Sequence, residues 1–128
     1  MSLRSPMSRV LGLGSAKEGA GHWWDQRVSA VALVVLGVWF LFSIVTLPDL
    51  SYGTVVAFAA SPWRAVLIAL FVGVSAWHSA LGVQVVVEDY VHAPGAKVLI
   101  LLFVKFAHVV AGAAGVVAAL KLGFGVQA

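Results

Sequence analysis

The chain contains no cysteine, and that absence removes disulfide frameworks, iron–sulfur ligation by this chain, thiolate zinc sites and cysteine nucleophiles together. Any metal must rely on His, Met or carboxylate ligands. Charge is nearly as scarce: eight Lys and Arg with five Asp and Glu make 10% of the 128 residues, against about 25% in soluble domains. Hydrophobic residues make 62% and the mean hydropathy is +1.03, which excludes a soluble globule. The small basic excess, +3, does not indicate nucleic acid, because Arg4, Arg9, Lys17 and Arg27 gather before or at the start of the first apolar run. That placement is a topology signal.

What is present is apolar length. Three stretches, Val28 to Leu47 (20 residues), Ala65 to Val87 (23) and Val98 to Leu120 (23), hold almost no charge. A helix crosses a hydrocarbon core of about 30 Å in about 20 residues, so each is long enough to span. The sequence reads as an all-α membrane protein with three transmembrane helices, at about 25–47, 63–89 and 96–122, in one membrane-anchor domain, 1–128. Pro48 and Asp49 close the first span, Ser61 and Pro62 supply a cap and a first-turn proline for the second, and Pro94-Gly95 separates the second from the third. His22, Trp23 and Trp24 precede the first span and Trp63 opens the second, where amphipathic rings favour the headgroup layer.

The N-terminal arm sets Arg4, Arg9 and Lys17 against Glu18 alone, whereas the loop from Pro48 to Trp63 carries only Asp49. Positive-inside bias then predicts a cytoplasmic N-terminus, with the Glu88 to Lys97 loop on the same side and the tail from Lys121 on the other. No cleaved secretory signal is expected, since the apolar run begins only at Val28 and no convincing small-residue cleavage site follows it. The short arm favours a bacterial inner membrane, with a mitochondrial inner membrane as the alternative.

An ionisable group at mid-depth in hydrocarbon costs at least about 2.5–3.5 kcal/mol, so each one invites a functional reading. The polar candidates inside the spans are His78, Lys105 and His108 with the neutral amide Gln84, and Asp89 and Tyr90 lie at the cytoplasmic end of the second span. His78 and His108 lie at similar depths, roughly 13 and 15 Å below that surface by helical rise. Two imidazoles at mid-membrane suit axial ligation of a haem iron, from one chain or one from each of two; the alternative is hydrogen bonding across helices as packing. Gly82, one turn from His78, would admit either a flat macrocycle or a neighbouring helix. Asp89 lies about 16 Å along the axis from His78 and close to its meridian. Tyr90 beside it offers a phenolic donor for a quinone carbonyl, or else an interfacial anchor. On the third span Ala107, Ala111, Gly115 and Ala119 recur every four residues, a small-residue stripe for close helix approach.

The run His78-Ser-Ala-Leu-Gly82, followed by Val86-Val-Glu-Asp-Tyr-Val91, resembles the signature of the hydrophobic membrane-anchor subunit (D chain) of succinate dehydrogenase, succinate:quinone oxidoreductase. In that family a haem-ligating His precedes an Asp-Tyr pair by eleven and twelve residues, the spacing of His78, Asp89 and Tyr90. The His22-Trp-Trp-Asp-Gln-Arg27 approach to the first helix is also similar, so the resemblance covers most of the chain. It implies that the three helices join a heteromeric bundle. His78 would be one axial ligand of a haem b shared with a second cytochrome b-type anchor subunit. Tyr90 and Asp89 would belong to a ubiquinone site facing the iron–sulfur subunit, with FAD and iron–sulfur clusters confined to the flavoprotein and iron–sulfur subunits. Arg27 matches a family arginine near the haem propionates; Lys105 and His108 stand outside the pattern and are further candidates for the haem vicinity.

No flavin fingerprint or cysteine cluster is present, so the isolated chain is not expected to oxidise succinate. The competing readings are the anchor of a related quinol:fumarate reductase, a haem-free structural or assembly subunit in which His78 merely packs, and a small transporter component. Intramembrane charges are too sparse to draw a transport path. Membrane lipid is an expected partner and nucleic acid is not.

Overall fold

The structure is a computed structural model that describes Met7 and residues 19–125. The basic residues Arg4, Arg9 and Lys17, on which the orientation rests, lie outside the described residues, as does Glu18. Four helices follow one another: α1 (Gly19–Val45), α2 (Tyr52–Ala59), α3 (Pro62–Tyr90) and α4 (Pro94–Phe124). Three of them are long and apolar enough to cross a membrane. There is no strand among the described residues. At 29 and 31 residues, α3 and α4 exceed the roughly 20 that a bilayer core requires, so their ends reach the headgroup layers or the helices tilt.

The helix ends follow from local chemistry. α1 stops at Val45, before Pro48, because the residue preceding a proline is pushed out of the helical region. Thr46 turns its hydroxyl back onto the Phe42 carbonyl at 2.9 Å, and the Leu47 amide reaches the Ile44 carbonyl at 3.2 Å, tightening the last turn. Pro62 and Pro94 occupy the first turns of α3 and α4, where a missing N–H costs nothing. Ser61 stands at the expected cap of α3 with extended backbone, yet its side chain makes no capping hydrogen bond. α4 ends at Gly125, whose φ of 66° is the left-handed geometry that a side chain disfavours.

The eight-residue α2 lies between the first two spans, where the sequence predicts a loop. Ser51 caps it by accepting from the Thr54 amide, and Asp49 Oδ1 accepts from the Ser51 amide at 2.9 Å. Hydrogen bonds from the Ser51 hydroxyl, the Thr54 hydroxyl and the Ser51 amide hold the Asp49 carboxyl below the usual carboxylate range. Phe58 and Ala59 on α2 are buried. Phe58 stacks on Trp39 at 6.4 Å and lies under the Arg64 guanidinium at 4.7 Å, while Trp39 meets Trp63 at 6.2 Å and Phe40 meets Phe71 at 5.1 Å. This aromatic cluster joins α1, α2 and α3 at one end of the molecule.

α4 packs antiparallel along α3 over most of its length, and α1 lies against α3 alone among the long helices. The α3–α4 seam uses small residues: Gly112 faces Ala76, Gly115 faces Val72 and Gly123 faces Ala65, with Ala119 buried beside them. This corrects the stripe read from the sequence. Ala107 and Ala111 are exposed, and only Gly115 and Ala119 of that row turn inward. Strict four-residue spacing drifts about 40° per step at about 100° per residue, so such a row winds off the face, whereas 112, 115, 119 and 123 mix three and four and stay on it. Large apolar side chains such as Val34, Val38, Phe42, Phe103 and Phe106 point outward. An outward apolar surface of this kind suits lipid or neighbouring membrane helices.

Candidate functional site

α1 carries His22, Gln26 and Ser29 at spacings of four and three residues, a polar row at the start of an otherwise apolar span. Gln26 and Ser29 meet α3 at His78 and Gly82. Ser29, 6% exposed, is the one buried polar residue among those described. Its Oγ lies 2.7 Å from the Asp25 carbonyl oxygen, 3.2 Å from that of Gln26 and 2.9 Å from Nδ1 of His78. Two oxygens 2.7 Å apart need a proton between them, and serine has only one. The hydroxyl therefore donates to Asp25, and Oγ accepts from Nδ1–H of His78.

In a neutral imidazole this network assigns the proton to Nδ1 and leaves the lone pair on Nε2. The Gln26 amide nitrogen faces that lone pair at 3.3 Å, beyond the usual hydrogen-bond range. Oε1 of the same amide is buried without a partner, as is Nε2 of His22. The lone pair of His78 is loosely held, and its neighbour is imperfectly satisfied where it stands. A neutral histidine whose second ring nitrogen donates to an oxygen is the form that metal ligation uses. The residues present therefore fit an axial ligand of a haem iron. No group of three or more His, Asp or Glu that could hold a metal comes together among the described residues, so His78 would enter such a site as a single ligand.

Gly82 has room to spare: a Cβ there would lie 3.8 Å from the Gln26 amide nitrogen, an ordinary contact. Within this chain, close helix packing does not require the glycine.

His108 stands in another interface. Its Nδ1 donates to the Val104 carbonyl of its own helix at 2.8 Å and its Nε2 contacts Ser79 Oγ on α3 at 3.2 Å. The two membrane histidines thus do not meet. Beside His108 a groove of about 460 Å³ runs between α3 and α4, lined chiefly by apolar and small residues, with Gln84 and Lys105 among its polar groups. Arg27 lies instead on α1, its guanidinium 5.6 Å from the Trp23 ring centroid.

Asp89 and Tyr90 form the last residues of α3 and are exposed, Tyr90 by 77%. The turn around them is braced. Gln84 donates to Glu88 Oε1 at 2.8 Å, Lys97 donates to the Glu88 carbonyl at 2.8 Å, and His92 Nδ1 lies 3.1 Å from the Tyr90 carbonyl. The phenol ring of Tyr90 is therefore presented at a fixed helix end.

Sequence reasoning missed Ser29 and Gln26, although the polar row of residues 22, 26 and 29 was a signal for them. It also missed Ser79, which partners His108.

Residues 1–113 match the sequence profile of a family described as succinate dehydrogenase/fumarate reductase transmembrane subunit. The succinate dehydrogenase hydrophobic membrane anchor subunit of Paracoccus denitrificans is 36% identical over 121 residues, which covers 94% of this chain and 93% of that protein. The equivalent subunit of Rickettsia typhi is 31% identical over 91 residues, 71% of this chain and 73% of that one. A succinate dehydrogenase membrane anchor subunit of Reclinomonas americana is 28% identical over 92 residues, 70% and 77% of the two chains.

Proposed function

The chain belongs to the family of succinate dehydrogenase/fumarate reductase transmembrane subunits, and from that premise we propose that it anchors a succinate dehydrogenase, with His78 as one axial ligand of a b-type haem and Tyr90 and Asp89 in the quinone pocket. The observation that supports the haem assignment is the 2.9 Å contact of His78 Nδ1 with Ser29 Oγ, whose own proton goes to the Asp25 carbonyl: Nδ1 then donates and leaves the Nε2 lone pair available. When bound, the haem supplies a one-electron carrier whose potential its ligands and dielectric tune. The second imidazole comes from a second anchor chain. Flavin and iron–sulfur chemistry belongs to the soluble subunits, since this chain contains no flavin fingerprint and no cysteine.

At the end of α3, the Tyr90 phenol donates to a quinone carbonyl and fixes its orientation. Quinone reduction consumes two protons, and Asp89, exposed beside Tyr90, relays them from the aqueous side or orients the phenol. Gln84, Glu88 and Lys97 keep that helix end in place. The basic N-terminal arm sets this end of α3 on the cytoplasmic face of an inner membrane, where the soluble subunits dock.

The test is His78→Ala in the assembled complex, followed by reduced-minus-oxidised spectroscopy. The low-spin bis-histidine spectrum is lost or displaced. An unaltered haem signal at an unchanged potential overturns the ligation reading.

A further inference from the structure

Ser29 is the one buried polar residue among those described, and its oxygen sits between an α1 carbonyl and the ring of His78. A buried hydroxyl must be hydrogen-bonded, and a serine inside a helix can satisfy itself by bonding back to the carbonyl four residues earlier. That local bond alone would occupy the proton of Ser29. What remains is the oxygen's acceptor capacity, directed at a ring on a different helix, 49 residues away in sequence, at 2.9 Å.

We propose that Ser29 is a positioning residue for His78: anchored by its hydroxyl to the Asp25 carbonyl, it accepts the Nδ1 proton, fixes the tautomer and the ring plane, and so presents Nε2 to the iron. The inference rests on the reading of His78 as an axial ligand. Three features of the site support it. The acceptor cannot rotate away, since turning the hydroxyl toward the ring would leave the 2.7 Å oxygen pair without its proton. The opposite tautomer would leave Nδ1 facing an oxygen whose proton is already committed to the Asp25 carbonyl. Finally, an imidazole that donates from Nδ1 is a more basic ligand, which favours the oxidised iron.

Ser29→Ala removes the acceptor while keeping a good helix former, and Ser29→Thr keeps an oxygen able to bond back to the Asp25 carbonyl. In the purified complex, Ser29→Ala raises the haem midpoint potential, shifts the low-spin electron paramagnetic resonance g-values that report the ring plane, and accelerates haem loss by about 10- to 100-fold. Ser29→Thr returns these readouts toward wild type. A readout that needs no haem is the ¹⁵N spectrum of histidine-labelled full-length chain in bilayers, with His78 assigned by difference against His78→Gln. The wild type shows protonated Nδ1, and Ser29→Ala loses that preference.

If Ser29→Ala matches wild type in potential, g-values and tautomer, the positioning role is overturned. If His78→Ala keeps an unchanged haem spectrum, the ligation reading falls and takes the proposal with it. In that case the nitrogen spectrum still changes with Ser29→Ala, which separates the two failures.

Discussion

The seam between α3 and α4 turns a set of glycines into a graded steric experiment. An alanine Cβ at Gly21, Gly53 or Gly95 would meet nothing within 4 Å, and at Gly73 it would meet Val116 at 3.6 Å. At Gly112 it would lie 3.0 Å from the Ala76 Cβ, and at Gly115 2.6 Å from Val72 Cγ1. At Gly123 it would overlap the Ala65 Cβ, with the Pro62 Cα 3.5 Å away. Carbon atoms prefer separations of about 3.5–4.0 Å, so Gly115→Ala must gain about 1 Å, resisted by a valine with one strongly favoured helical rotamer. Gly123→Ala has no rotatable neighbour at all, since Ala65 is wholly enclosed, and the helix backbones must part. Replacing glycine by alanine in a helix is worth about 0.8–1.0 kcal/mol, while overpacking costs about 1–3 kcal/mol. The net is a gain at Gly73, near balance at Gly112, and a loss of about 1–2 kcal/mol at Gly115 and Gly123. Heating the purified complex in detergent and following the assembled fraction by size-exclusion chromatography gives the midpoints to rank. If Gly115→Ala and Gly123→Ala melt at or above wild type while Gly73→Ala melts below it, α4 does not pack on α3 as described.

Tyr90→Phe lowers quinone reduction severalfold or more, while succinate oxidation by a soluble dye stays close to wild type in the assembled complex; equal loss of both activities refutes a quinone role for the phenol. If Arg27 or Lys105 offsets the haem propionates, Arg27→Gln or Lys105→Met lowers the haem midpoint potential, because losing a nearby positive charge favours the oxidised iron. Unmoved potentials in both assembled variants assign the counter-charge to another chain. Asp49 has its carboxyl pKa depressed below the ordinary 3.8 by the Ser51 and Thr54 hydrogen bonds, so its contribution is present above 3.8 and lost as pH falls through the lower folded value. Amide hydrogen exchange at Thr54 therefore speeds relative to unstructured reference amides on acidification below that range in wild type, and Asp49→Asn is already loosened at neutral pH. Protection that is the same in both proteins at every pH removes the cap from the account.

The three spans were legible because hydrophobic length is a one-dimensional property, and Pro62 and Pro94 mark two helix starts without reference to any neighbour. α2 was not legible. Its eight residues, Tyr-Gly-Thr-Val-Val-Ala-Phe-Ala, include a glycine and three β-branched residues, which disfavour a free helix. What stabilises it is the Ser51 cap and the burial of Phe58 and Ala59, and only the latter depends on distant helices. The small-residue seam failed for a related reason: composition shows that small residues abound on α4, whereas the face they share depends on the phase of the helix relative to α3.

The candidate site divides along the same line. The depth of His78 and its spacing to Asp89 and Tyr90 are distances along one helix, so sequence gives them directly. The partner of each imidazole is instead a rotation between two helices. His78 and His108 lie at similar depth, and nothing in their sequence neighbourhoods says that one ring meets Ser29 and Gln26 on α1 while the other contacts Ser79 and its own backbone. His108 shares the feature read for His78: its Nδ1 donates to a carbonyl at 2.8 Å, so its Nε2 also carries the lone pair, set toward the Ser79 hydroxyl at 3.2 Å. Ligation at His78 displaces a 3.3 Å contact to an amide already short of one partner, and at His108 a 3.2 Å contact to a hydroxyl. Equal depth thus comes with equal tautomers and different partners: His78 holds its Nδ1 proton against a buried serine on another helix, His108 against its own backbone, and only His78 stands eleven and twelve residues before Asp89 and Tyr90.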